Sequence, residues 1–326
     1  ADRINMLYSM ISEEFHSLLA LAGIIFAFGV TVAATAKLQG ALPKDHGREY
    51  AYDGAKSAGK PRGAGIIFVL AFAGAAALFA PMDAERIIYL ILIVICMMTG
   101  FLDDASEKPW GELRKGFLDL CVAALTAMTF LKYNPKTIEL AFFQVQLAIP
   151  AWLYALLIVI LVWVSVNVTN CSDGVDGLSG TLTIISIMTI YAVDRVLERG
   201  GDFCYLILLF AVCILAYLWY NAAPSKLMMG DAGSRAMGLF ISIAILKTYS
   251  PLLYIPIALV LILDGGLGLV KQALIRGPKI HILTNVRLPL HDHVRKKWGW
   301  SNTQTVFRFA IVQILLGVAV VYGLRI

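Results

Sequence analysis

Ten stretches of this chain are too apolar to stay in water. They run over roughly 17–36, 64–81, 86–102, 116–131, 151–167, 178–193, 204–220, 233–247, 251–270 and 304–324. Runs of about 17–25 apolar residues are the signature of helices that cross a bilayer. Of the 326 residues, 59% are hydrophobic, and no long polar stretch remains to build a second domain. The expectation is therefore one all-α, polytopic membrane domain over 1–326, with about ten transmembrane helices. Several runs fall short of the roughly 20 residues that cross a bilayer untilted, so their ends are expected to shift by a few residues. The run at 233–247 carries the weakest signal. The first run follows Glu13, Glu14 and His16 rather than a basic stretch, so a cleaved leader is not expected. The five cysteines form no Cys-x-x-Cys pair and read as small buried hydrophobes.

Ten spans put both termini on one side, and charge decides which. The connections over 37–62, 103–115, 221–232 and 271–303 hold seventeen lysines and arginines, against eight in the opposite set with the termini. The bias of positive charge toward the cytoplasm places the first set inside and both termini extracytoplasmic. Every unusual polar cluster then falls on the cytoplasmic side: Asp103-Asp104, Asn167 to Asp176, Asn221 to Asp231, and His291 to Lys297. One site assembled from several cytoplasmic connections is the economical reading. The connections on the other side look short and unremarkable. The cytoplasmic bias of the basic residues suits anionic lipid headgroups or an anionic substrate.

The densest cluster is Asn167-Val-Thr-Asn170-Cys-Ser-Asp173-Gly-Val-Asp176, followed by Gly177. On a helix Asn167 and Asn170 share a face, as do Asp173 and Asp176. Gly174 and Gly177 argue for a turn where backbone approaches a ligand. A solvated loop would not need two amides and two carboxylates in ten residues at a membrane border.

Asp103 and Asp104 close the third span. Neighbouring residues on a helix project about 100° apart, so one acid could hold a metal while the other meets a substrate. Met229-Gly230-Asp231-Ala-Gly-Ser234 opens the eighth span and reads as a tight turn into a helix N-terminus, either an anion site or ordinary capping. Carboxylates gathered on one side make Mg²⁺ plausible, and Mg²⁺ brings phosphates with it. Lys44 to Gly65, with Lys56, Lys60 and Arg62, reads equally as a headgroup-binding loop or as a flexible lid over a polyphosphate. In Pro289-Leu-His291-Asp292-His293 an extended loop would point both histidines the same way and turn Asp292 away, where histidine would be tolerated. Asp264, followed by two glycines, is expected to mark a helix break, and the Trp298 and Trp300 region an interfacial anchor.

Together these motifs resemble the polyprenyl-phosphate N-acetylhexosamine-1-phosphate transferase superfamily. The resemblance rests on Gly-Lys-Pro-Arg-Gly-Ala-Gly at 59–65, Gly-Phe-Leu-Asp-Asp at 100–104, Asn-Val-Thr-Asn-Cys-Ser-Asp-Gly-Val-Asp-Gly-Leu at 167–178 and Met-Gly-Asp-Ala-Gly-Ser at 229–234. Pro-Leu-His-Asp-His at 289–293 points to the bacterial phospho-N-acetylmuramoyl-pentapeptide transferase branch. With ten spans the resemblance covers essentially the whole chain. It implies attack of undecaprenyl phosphate on UDP-N-acetylmuramoyl-pentapeptide (UDP-MurNAc-pentapeptide), with Mg²⁺, giving lipid I and UMP in peptidoglycan synthesis. It further implies a bacterial cytoplasmic membrane location, contact with membrane lipids, a homodimer and no nucleic acid. By resemblance Asp104 and Asp231 are Mg²⁺ candidates and Asp103 faces the lipid phosphate. Lys115 matches a lysine in the family site, and His291 joins the catalytic set. Asn170, Asp173 and Asp176 take the nucleotide and pyrophosphate end. Asn167, Asn221, Gly230, Ser234, His293 and Lys60 complete the expected substrate contacts.

The sequence also departs from the family pattern. Asp292 stands where relatives have the middle of three histidines, so three-histidine roles do not carry over to it. Asp264 replaces a frequent glutamate and Met228 a frequent phenylalanine. Basic residues follow His293 where a glutamate is usual. Three rivals are weaker. A GlcNAc-1-phosphate transferase shares the chemistry but not the histidine region. A CDP-alcohol phosphotransferase would carry Asp-Gly-x-x-Ala-Arg, whereas Asp176-Gly-Leu-Ser-Gly stands here. An ion-coupled transporter would place acids on both sides of the midplane.

Overall fold

The structure is a computed structural model describing residues 7–8, 10–47, 54–199 and 201–325. Its long helices follow the apolar runs closely: α1 (His16–Leu38), α2 (Gly65–Phe79), α3 (Ala84–Asp104), α4 (Glu112–Tyr133), α5 (Ala151–Cys171), α6 (Leu178–Leu197), α7 (Phe203–Asn221) and α8 (Gly230–Lys247). A short α9 (Tyr254–Ile257) and α10 (Leu259–Leu261) lead through a π-helical turn, Ile262–Gly266, into α11 (Leu267–Arg276). Next come α12 (Leu290–Trp298) and α13 (Asn302–Gly323). Seven helices are long and apolar enough to span a membrane by themselves, and the bent pair Pro251–Ile257 and Leu259–Arg276 makes an eighth. Among the described residues the other two expected spans are helical too: α2 is a shorter apolar helix, and α8 does not qualify as a span by composition.

The weakest sequence signal belongs to the central helix. Every residue of α8 from Ala232 to Leu246 is buried, packed against α2, α3, α5 and α6. A helix enclosed by protein need not be apolar to lipid, so α8 can carry Asp231, Arg235 and Lys247. Arg235 pairs inside the bundle with Asp119 of α4. Between helices in a bilayer, close packing and hydrogen bonds replace the hydrophobic drive. Accordingly, Ser165 of α5 donates its hydroxyl to the Gly238 carbonyl at 2.6 Å.

Polar groups collect at the two ends of the bundle. At one end Lys247 Nζ meets both Glu85 carboxylate oxygens at 3.0 Å and Asn134 Oδ1 at 2.7 Å. Nearby, Arg86 pairs with Asp202 at 2.9 Å. The 134–150 connection at this end is more than a short link. It holds a hairpin, β1 (Thr137–Leu140) paired antiparallel with β2 (Val145–Ala148). Glu139 on β1 is tied to Arg199 at 2.8 Å. The motif clusters occupy the opposite end.

The helix break expected at Asp264 is split in two. The chain bends by 70° between α9 and α10, and Asp264 lies a turn later in the π-helical segment. A π turn widens the backbone locally and is common at functional sites. It presents the Asp264 carboxylate to the backbone N–H of His291 at 2.8 Å.

Candidate active site

Two helix ends build an acidic centre of three carboxylates. Asp103 and Asp104 end α3, and Asp231 sits in the first turn of α8. The two neighbouring acids diverge as their spacing requires. Asp103 accepts from the Trp110 backbone N–H at 2.7 Å and faces Lys115 Nζ of α4 at 2.5 Å. Asp104 turns the other way, accepting from the backbone N–H groups of Asp231 and Ala232, each at 3.1 Å. The anion at the start of α8 is therefore the protein's own carboxylate. A helix N-terminus leaves such donors unpaired and favours negative charge. Gly230 makes the approach possible: its φ is +65°, and a Cβ there would overlap the Asp104 carboxylate.

Asp231 is held more loosely. Its oxygens lie 3.4 Å from Lys115 Nζ and 3.5 Å from Arg62 Nη2. Arg62 also reaches Asp104 through Nε at 2.9 Å and Asp45 through Nη1 at 3.1 Å. Burial alone would lower the Arg62 pKa, but Asp104, Asp231 and Asp45 outweigh it and hold it above its ordinary value. Asn170 supports the same centre, donating to Ser234 Oγ at 2.9 Å, and Ser234 donates to the Gly230 carbonyl at 3.0 Å.

Beside the acidic centre lies a cavity of about 450 Å³, lined by Lys56, Ser57, Lys60, Asp173, Asp176, Asn221, Arg295 and Ser301 to Thr303, among others. Lys60 Nζ stands 3.8 Å from Asp176, whose carboxylate accepts from the Ser225 backbone N–H at 3.0 Å. The basic loop is not loose where it is described. Lys44 pairs with Pro61 in a β-bridge, and the Arg62 N–H donates to the Pro43 carbonyl at 2.8 Å. Arg48, part of the expected lid, lies outside the described residues.

The histidine segment corrects one expectation. It is the first turn of α12, not an extended loop, so residues two apart face different ways. His291 is buried, with Nδ1 2.8 Å from Asp264 Oδ2. A carboxylate only accepts, so Nδ1 carries the proton and Nε2 is left for other work. Nε2 fills the space over Gly174 and stands 3.9 Å from Asp292. His293 instead accepts from the Arg287 backbone N–H at 3.1 Å and packs edge-on to Trp298. Asp292 is not turned away either. It is buried, 3.6 Å from both Arg287 and Arg295, so histidine there would meet two cations rather than solvent.

Two other expected contacts also bond to their own scaffold. Asn167 donates back to the Trp163 carbonyl at 2.8 Å. Both ends of the Asn221 amide are used, accepting from the Gly177 N–H and donating to the Leu227 carbonyl, each at 2.8 Å.

Residues 86–249 match the glycosyl transferase family 4. A phospho-N-acetylmuramoyl-pentapeptide-transferase of Treponema pallidum is 37% identical over 313 residues, which is 90% of this chain and 85% of that relative. The chain belongs to the phospho-N-acetylmuramoyl-pentapeptide-transferase family. Members from Carboxydothermus hydrogenoformans and Acetivibrio thermocellus are 29% and 27% identical. The first match spans 82% of this chain and 86% of the relative, the second 99% of each.

Within this family member, sequence reasoning passed over Asp45 and Ser57 and left Arg62 undifferentiated among the basic residues of a loop. Arg62 finds its partners across 42 and 169 residues of chain, and Asp45 meets Ser57 and Arg62 across 12 and 17, which no local spacing reveals. Close packing at the centre yields a prediction. A Cβ at Gly100 of α3 would overlap the Asp231 carbonyl, while one at Gly74 of α2 meets nothing within 4 Å. Overpacking against backbone typically costs about 1–3 kcal/mol. A displacement of about 1 Å can cost roughly 10²-fold in rate. Gly100→Ala is expected to lower both the thermal midpoint and turnover, the latter by about 10²-fold, with Gly74→Ala unchanged in both. Wild-type turnover in Gly100→Ala would show that α8 tolerates displacement.

Proposed function

We propose that this chain transfers phospho-N-acetylmuramoyl-pentapeptide from UDP-MurNAc-pentapeptide to undecaprenyl phosphate, releasing UMP and forming lipid I. The observation that carries this reading is a cavity of about 450 Å³ lined by Lys56, Lys60, Asp173, Asp176 and Arg295, whose wall at Ser57 is linked through Asp45 and Arg62 to the acidic centre. The cavity offers Lys56, Lys60 and Arg295 to an anionic nucleotide, with Asp173 and Asp176 among its polar groups. Lys115 holds its ammonium between Asp103 and Asp231, where it would steady an incoming lipid phosphate. A phosphomonoester is already largely dianionic at neutral pH, with a second pKa of about 6. Direct in-line attack therefore needs no strong base.

The donor set suits Mg²⁺ in one particular way. Among the described residues no three His, Cys, Asp or Glu side chains form a ready cage. Mg²⁺ commonly takes one or two carboxylates and completes its shell with substrate phosphates and water. Asp231, whose contacts with Lys115 and Arg62 are 3.4 and 3.5 Å long, fits that part. Asp104, with both oxygens already accepting from backbone, fits a part in holding α8. When bound, the ion would offset charge on the pyrophosphate. Asp45, Asp103, Asp104 and Asp231 gather around Arg62 and Lys115, and this concentration of carboxylates favours a dication.

The reading places the bundle in the bacterial cytoplasmic membrane with the site facing the cytoplasm, and extends to a homodimer as the resemblance implies. Single cysteines at Lys60, Ser106 and Lys296 are expected to escape an impermeant thiol reagent added outside intact cells, and one at Lys136 to react. Labelling of the first three would reverse the orientation. The activity is tested by presenting purified protein with undecaprenyl phosphate and either radiolabelled UDP-MurNAc-pentapeptide or UDP-GlcNAc. Transfer from the first alone supports the reading. Transfer from the second alone points to a GlcNAc-1-phosphate transferase, and liposome uptake without transfer points to a transporter.

A further inference from the structure

The wall of the cavity and the start of α8 are joined by an unbroken run of charged hydrogen bonds. Ser57, on the cavity wall, donates to Asp45 Oδ2 at 2.5 Å. Asp45 Oδ1 accepts from Arg62 Nη1 at 3.1 Å, and Arg62 Nε donates to Asp104 Oδ1 at 2.9 Å. Asp104 then receives the backbone N–H groups of Asp231 and Ala232. The Asp45 and Asp104 side chains are 1% and 0% exposed, so neither carboxylate can exchange its partners for water cheaply. The guanidinium is a rigid planar fork. Its three nitrogens each take a different carboxylate, which fixes Asp45, Asp104 and Asp231 relative to one another.

We propose that Arg62 and Asp45 are positioning residues, which set Asp231 through Asp104 and tie its placement to the wall of the nucleotide cavity. The proposal rests on the transferase reading above. A ligand pressing on the loop at Ser57 and Lys60 then tightens the carboxylate centre, so binding and chemistry are joined through one arginine. Lysine cannot substitute, because a point charge on a flexible stem cannot span three carboxylates.

The test uses the full chain in detergent, with Arg62→Gln, Arg62→Lys, Asp45→Asn and the Asp45→Asn/Arg62→Gln pair. Expected is a fall in kcat of about 10–100-fold in each single variant, with KM for the UDP-sugar and Kd for UMP within about threefold of wild type. Arg62→Lys does not rescue. The double variant is no slower than Arg62→Gln alone, because links in series do not add. A second readout needs no turnover. UMP should raise amide hydrogen-exchange protection across residues 229–234 in wild type, and this gain should vanish in Arg62→Gln. A raised KM at unchanged kcat would make Arg62 a substrate contact and overturn the proposal. So would multiplicative losses in the double variant, or a protection gain that survives Arg62→Gln. A wild-type chain that binds UMP but transfers nothing would sink the transferase reading and leave the exchange result to decide the relay by itself.

Discussion

Asp231→Asn is expected to cut turnover by about 10³-fold or more, the scale of losing a group that stabilises transition-state charge. The fold should survive. Asp231 is held by contacts of 3.4 and 3.5 Å, and both cations keep closer partners when it is neutralised. Lys115 retains Asp103 at 2.5 Å, and Arg62 retains Asp104 at 2.9 Å and Asp45 at 3.1 Å. Removing a charge does not raise the cost of membrane insertion. The measurement is radiolabelled transfer alongside the thermal midpoint, with Mg²⁺ titrated. An Asp231→Asn enzyme that turns over normally would remove this residue from the site. Asp104→Asn should also be inactive, but for a different reason and with a lower midpoint. The neutral amide would meet the two α8 backbone N–H groups and Arg62 with weaker acceptance. A stability loss in Asp104→Asn and none in Asp231→Asn is the pattern expected.

His291→Ala is expected to lower turnover by about 10²–10⁴-fold, the range for losing an acid–base or charge-stabilising group. It also strips the Asp264 carboxylate, 1% exposed, of its Nδ1 partner, and leaving a buried acceptor unpaired costs about 1–3 kcal/mol. His291→Asn separates the two effects. Its side-chain amide can still donate to Asp264 near the Nδ1 position but offers nothing where Nε2 stood. The expectation is recovery of the thermal midpoint without recovery of turnover. If His291→Asn turns over like wild type, the histidine serves only to brace α12 against the π turn. His293→Ala should cost far less, because His293 caps the Arg287 N–H and packs on Trp298. Asp292→His should be harmful, because it would bury a second histidine between Arg287 and Arg295.

Much of the fold was legible because membrane insertion is decided by local hydrophobicity, one segment at a time. The runs at 17–36, 86–102 and 204–220 became α1, α3 and α7 with ends moved by a few residues. The gathering of the Asp103, Asp104, Asp173, Asp176 and Asp231 motifs at one end followed from the order of spans and loops, although Glu85, Glu139 and Asp202 form ion pairs at the other. The weak run at 233–247 is helical, and its weakness is a tertiary effect: a helix wrapped in other helices is released from the demand to be apolar. Glycine spacing announced the turn before α8, and the adjacency of Asp103 and Asp104 on a helix announced that they would diverge.

What each acid does was settled by contacts no local pattern encodes. Asp104 and Asp231 look alike in sequence, each at a helix end beside a glycine-bearing motif. Only the packing of α3 against α8 makes one a cap for backbone N–H groups and leaves the other with long, exchangeable contacts. The two histidines looked equivalent while their segment was read as extended. A helical turn separates them, and Asp264, 27 residues away in chain, selects His291. Asp45, Ser57 and Arg62 read as loop residues among other polar groups, until the fold laid that loop across the ends of α3 and α8. Hydrophobicity is a property of the segment and is written residue by residue. The assignment of partners among like charges is a property of distance in the folded chain, and only the tertiary structure decides it.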